Sequence, residues 1–239
     1  MGQRVSAPVV IWAHGWGVDH TTLIPLMQSA GLPGTQILVD FPGFGESSAP
    51  PPHWGVADYA AFMTAFIQSR TPDPVIWIGH SLGNRVGVHV AAGADRLQAL
   101  ISIGGHGIKP HRPWWKRLKM ALSVRLFKTL KLLVRSQQQL ERLRARFGSP
   151  DYRNAGPMRP VFMNVVRDDV TDLLPGISCP AHFFYGTEDR ETPPAMGRKM
   201  AETVQNGRFE ALPYLDHYSI LNEGRHQLAS RLKSIIKEL

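Results

Sequence analysis

Apolar and polar positions along the chain fall into two alternating kinds of segment. Short runs rich in β-branched and aromatic residues occupy 9–13 (Val-Val-Ile-Trp-Ala), 36–40, 75–78, 99–103, 181–185 (Ala-His-Phe-Phe-Tyr) and 209–212. Between them lie longer stretches with the 3.6-residue apolar period of helices, at about 22–30, 58–70, 83–92, 194–203 and 220–237. Apolar strands separated by amphipathic helices imply a parallel sheet covered by helices on both faces, here of about six strands. Residues 109–170 interrupt this alternation, so the expected organisation is a core of 1–108 and 171–239 with an inserted helical unit. Within the insertion, 113–135 reads as a helix with proline at its start. At 100° per residue Arg117, Arg125, Lys128, Lys131 and Arg135 gather on one flank. Leu118, Leu122, Leu126, Leu130 and Leu133 line another, expected to pack on the core.

Length and composition narrow the class. A chain of 239 residues with 43% hydrophobic content suits one soluble domain carrying a sizeable core. A single cysteine, Cys179, excludes an internal disulfide and fits a reducing, cytoplasmic setting; its place beside an apolar strand predicts a buried structural thiol. No apolar run approaches the roughly 20 residues a membrane span needs, and the short apolar stretch at 9–13 is not a signal peptide. Met1 to Ser6 does match the loose N-myristoylation pattern. The charge is unevenly placed. The chain is +8, yet residues 109–170 hold fifteen Lys or Arg against four Asp or Glu, a net +11 that leaves the remainder at −3.

The chemistry concentrates at strand ends. Gly79-His80-Ser81-Leu82-Gly83 stands between a strand and a helix, the setting of a nucleophile elbow, in which a strained serine is lifted clear of the sheet. Serine needs a base and an orienting acid. Asp189 and His217 each follow a predicted strand at the edge where parallel sheets place reacting groups. Glu188 and Asp172 are alternatives for the acid. The backbone amides of Leu82 and of Trp16, in the glycine-rich turn His14-Gly15-Trp16-Gly17, are the candidate oxyanion donors, and His14 is expected to brace that turn. His80 is read as filling the variable position of the elbow. Asp40 and the Gly43-Phe44-Gly45 turn are read as architectural. His14, Asp19 and His20 lack ligand-like spacing, so no metal site is expected.

These motifs, with Asp40-Phe41-Pro42-Gly43-Phe44-Gly45-Glu46-Ser47, Gly186-Thr187-Glu188-Asp189 and Asp216-His217, fall in the order of the α/β-hydrolase superfamily, which the chain resembles over nearly its whole length outside the insertion. His-Gly-Trp-Gly, Asp-x-Pro-Gly-Phe-Gly and Ile-Trp-x-Gly before the serine are similar to the carboxylesterases that cleave pimeloyl-carrier-protein methyl ester in biotin synthesis. Two positions depart from the pattern: Asp216 stands before the histidine where glycine is usual, and Asn84 replaces the second glycine after the serine.

The resemblance implies an α/β-hydrolase fold with a helical cap over the active site at 109–170. It also implies a monomeric serine ester hydrolase with Ser81, Asp189 and His217 as triad and no cofactor. General carboxylesterase or thioesterase action on small or lipid-surface substrates is the alternative, and a non-catalytic ligand receptor on the same fold is the rival from another class. The basic flank of the insertion is expected to dock an acidic acyl carrier protein. An anionic membrane surface ranks second, and nucleic acid is not expected, since no recognition motif accompanies the charge.

Overall fold

The computed structural model describes residues 8–93, 96–109, 113–147 and 149–239, without the side chains of 116, 117, 137 and 145; the myristoylation pattern at 1–6 lies outside the described residues. Six strands, β1 (Val9–Ala13), β2 (Thr35–Val39), β3 (Val75–His80), β4 (Leu97–Ile103), β5 (Ala181–Gly186) and β6 (Gly207–Leu212), form one sheet in the order β2-β1-β3-β4-β5-β6. Every pairing is parallel. β3 and β5 are buried along their full length, the condition that makes such strands read as unbroken apolar runs.

Side chains alternate between the two faces. Val10, Trp12, Ile76 and Ile78 pack with α1 (Ile24–Ala30), α9 (Ser219–Asn222) and α10 (Arg225–Glu238). Ile11, Ala13, Val75 and Trp77 pack with α2 (Val56–Arg70), α3 (Leu82–Gly93) and α8 (Pro194–Thr203). The sheet therefore rests between two apolar layers. The single helix expected over 220–237 is broken between Asn222 and Arg225. Gly224 stands at the break, where a Cβ would come 2.8 Å from the Ile220 carbonyl as well as 2.5 Å from Leu215 Cδ1. Cys179 is half-buried, not fully buried as expected.

Between β4 and β5 the chain leaves the sheet for α4 (Trp114–Leu132), α5 (Gln137–Phe147), α6 (Pro150–Asn154) and α7 (Arg159–Val165). α7 is anchored to the core through buried Val161, Phe162 and Val165. α4 is not. Leu118, Leu122 and Leu126 are each more than half exposed, Leu133 is 71% exposed and Trp114 75%. This overturns the expectation that the leucine flank packs on the core. α4 packs against the short α5, where Phe127 meets Phe147 with ring centroids 5.8 Å apart, and α5 covers too little of its circumference to bury the rest. No helix among the described residues is long and apolar enough to cross a membrane.

Candidate active site

The elbow forms as its spacing predicts. Ser81 connects β3 to α3 at φ 50°, a left-handed backbone that a residue with a Cβ adopts at a cost of about 1–3 kcal/mol. The turn is held down from below, because Trp77 Nε1 donates to the Gly83 carbonyl at 2.9 Å. Gly83 packs so closely on the Ala13 carbonyl of β1 that any side chain there would collide with it. Strand β1 and the elbow are thereby locked together, which brings Trp16, just past β1, beside Leu82. Trp16, Ser81, Leu82 and His217 all line one cavity of about 610 Å³.

Asp189 and His217 meet as anticipated, with His217 Nδ1 2.8 Å from Asp189 Oδ2. Asp189 is buried, and burial alone would raise its pKa. The His217 hydrogen bond and charge, with donation from Thr192, outweigh that and hold the carboxyl below its usual range, so it stays ionised. Glu188 and Asp172 are exposed, and neither takes this place.

Several residues of the site escaped the sequence reading. Thr192 clamps the carboxylate, its amide 2.8 Å from Asp189 Oδ1 and its hydroxyl 2.7 Å from Oδ2, while the Glu191 amide donates to Oδ1 at 2.9 Å. The Asp-x-x-Thr spacing is the local signal that could have revealed this turn. His80 does more than fill the elbow. Its ring is buried, and Nε2 lies 2.9 Å from the His217 carbonyl, tying the histidine loop to the elbow. Burial first, then the neighbouring His217, pushes His80 down to about 3, so it is neutral. His217 Nε2 lies 3.8 Å from the Glu191 carboxylate, whose pKa burial raises.

His14 braces the turn after β1: the Phe41 amide donates to Nε2 at 3.0 Å, which leaves Nδ1 to donate to the Gly15 carbonyl at 2.6 Å. Asp40 is architectural, accepting from the His20 amide at 2.8 Å and from the Glu46 amide at 3.3 Å. The structure brings Asp19, His20 and Asp40 within 4.8 Å of one another, a grouping the sequence spacing did not suggest. Within it His20 Nδ1 bonds to Asp40 and Asp19 Oδ1 accepts from the Thr21 amide.

The insertion contributes Ser149, Pro150, Asp151, Phe162, Val165 and Val166 to the cavity wall, from α6, α7 and their flanks. Arg125, Lys128, Lys131 and Arg135 are exposed on or just beyond α4, none of whose described side chains lines the cavity; the side chain of Arg117 lies outside the described residues.

Known proteins bear on this arrangement. The alpha/beta hydrolase family matches residues 10–231. A pimeloyl-[acyl-carrier protein] methyl ester esterase of Chromobacterium violaceum is 26% identical over 234 residues, 91% of this chain and 90% of that protein. One of the same name from Salmonella newport is 32% identical over 111 residues, 46% of this chain and 41% of that protein. Among solved structures, an esterase from Thermogutta terrifontis superposes with a TM-score of 0.70 at 20% identity, covering 98% of this chain and 90% of that one. An enol-lactonase from Burkholderia xenovorans gives 0.71 at 20% identity, covering 99% and 94%. At such identity these two share the fold and nothing finer.

Proposed function

The chain belongs to the alpha/beta hydrolase family, and from that premise we propose that it is a serine carboxylesterase working through an acyl-enzyme on Ser81. The observation that carries this reading is the 2.8 Å contact of His217 Nδ1 with ionised Asp189, on a histidine that shares its cavity with a left-handed Ser81. Asp189 fixes the proton on Nδ1 and leaves Nε2 free as base. His217 takes the Ser81 proton as Oγ attacks the ester carbonyl, and the amides of Trp16 and Leu82 hold the oxyanion. The proton then passes to the departing alcohol. Water, activated by the same histidine, attacks the acyl-enzyme, releasing the acid and restoring the serine.

For the substrate, the names of the Chromobacterium and Salmonella relatives make pimeloyl-[acyl-carrier protein] methyl ester the first candidate. A panel of methyl esters varied in acyl length, offered free and carrier-bound, tests this. Preference for the carrier-bound C7 ester supports it, and preference for free short esters contradicts it.

The cap formed by the insertion is read as the carrier's docking surface. Its net +11 charge suits an acidic protein, and the exposed apolar residues of α4 supply contact area beside Arg125, Lys128 and Lys131. Reversing those three charges to glutamate should lower kcat/KM for carrier-bound esters about 10-fold or more at low salt while sparing small soluble esters, and the carrier-bound rate should fall steeply as salt is raised. Equal effects on both substrate types would reduce α4 to a solvated helix. Binding to anionic vesicles without carrier binding would assign the surface to lipid.

A further inference from the structure

Arg85 lies on α3 one helical turn beyond Ser81, its amide 3.4 Å from the Ser81 carbonyl. It lines the same cavity as Ser81 and His217. The residue is only 3% exposed. Its guanidinium donates to the Val165 carbonyl of α7 and to His106 Nδ1. Both acceptors are neutral, since burial and then the charge of Arg85 push His106 down to about 3. Nε of Arg85 is buried with no hydrogen-bond partner.

No carboxylate among the described residues forms an ion pair with this arginine. Asp168 is taken by His89 at 3.1 Å and Asp169 by Lys109 at 3.3 Å. Of the two acids that line the cavity, Glu191 lies against His217 Nε2 at 3.8 Å and Asp151 stands on α6 without reaching Arg85. Burial pushes the guanidinium down to about 10, so it remains charged at neutral pH. Asp168 and Asp169 favour its charge from beyond ion-pair distance, yet Nε has no acceptor, and a buried charged group left short of acceptors is costly unless something completes it. The completing anion must share the cavity with an ester bound at Ser81, and a carboxylate on the acyl chain itself does so. Each terminal nitrogen of the guanidinium keeps a second N–H beyond the one given to Val165 or His106, so a carboxylate's pair of oxygens can be met there, and Trp16, Phe162 and Val165 provide apolar wall for the methylenes between.

We propose that Arg85 is the carboxylate-binding residue of the acyl pocket, and that the enzyme hydrolyses free half-esters of short dicarboxylic acids, with the ester carbonyl at Ser81 and the far carboxylate on Arg85. The reaction consumes one water and yields the dicarboxylate and the alcohol, the bound carboxylate being unchanged. This activity rests on Ser81 acting as an esterase nucleophile and goes beyond the carrier-linked ester, whose far end is a neutral thioester that makes no such pair.

The test compares monomethyl succinate, adipate and pimelate with neutral methyl alkanoates of matching length. The wild-type enzyme should prefer the half-ester by about 10- to 100-fold in kcat/KM, chiefly through KM. Arg85→Gln should bring that ratio close to one, and Arg85→Lys, which keeps the charge without the fork, should restore part of it. Damage to the fold lowers both rates and leaves the ratio intact, so the ratio isolates the pairing. A wild-type ratio near one, or a ratio unchanged in Arg85→Gln, overturns the proposal while leaving the esterase reading in place. Adipate binding to Ser81→Ala protein, followed by calorimetry, gives an independent readout and should vanish when Arg85→Gln is added. If no ester of either kind is hydrolysed but adipate still binds through Arg85, the esterase reading fails and the carboxylate site stands.

Discussion

Ser81→Ala should abolish ester hydrolysis, lowering kcat/KM for a p-nitrophenyl ester by about 10⁴–10⁶. The loss is that large because Oγ is the only atom of the elbow that can form the acyl bond, and the other serine and threonine hydroxyls lining the cavity are engaged elsewhere, Ser149 in capping α6 and Thr192 on Asp189. His217→Ala should cost about as much, since base and nucleophile act as a unit and a serine without its base is inert at neutral pH. The fold should survive the first change. Serine and alanine both carry a Cβ and meet the same penalty at φ 50°, so the thermal midpoint of Ser81→Ala should stay near that of the wild type while activity disappears. Steady-state kinetics beside a melting curve separate the two effects.

Asp189→Asn is the second large effect, with an expected fall of about 10⁴ in kcat. The amide can present N–H to His217 Nδ1 where the carboxylate accepts, which favours the tautomer with its proton on Nε2, where the base must be free. It also weakens the clamp, because Thr192 donates both its amide and its hydroxyl to this carboxylate. Glu188→Gln and Asp172→Asn should change kcat far less, as both side chains stand in solvent. If Asp172→Asn proved the more damaging change, the orienting acid has been misplaced.

The strands and the three catalytic candidates were legible for a common reason. In a parallel sheet buried on both faces, each strand is an apolar run that ends where the reacting edge begins, so Ser81, Asp189 and His217 are marked by position as well as by residue type. What escaped notice depends on contacts between segments remote in sequence. His80 gained its role only when β3 and the loop after β6 came together, through its bond to the His217 carbonyl 137 positions away. Periodicity correctly marked Leu118, Leu122 and Leu126 as one face of α4, but it carries no information about what that face meets, and here it meets solvent. Arg85 was detectable in principle as a charge in the otherwise apolar stretch after the elbow. Its importance lies in the buried Nε left without an acceptor and in its place on the cavity wall, and both are visible only once its neighbours are known.

The central claim is that Ser81 is an activated nucleophile, and covalent trapping tests it most directly. Wild-type protein treated with a fluorophosphonate should gain the mass of one adduct, and peptide mapping should place that adduct on Ser81. His217→Ala protein should label far more slowly, because activation of the serine depends on the base. No adduct on the wild type, or an adduct on another residue, would contradict the account.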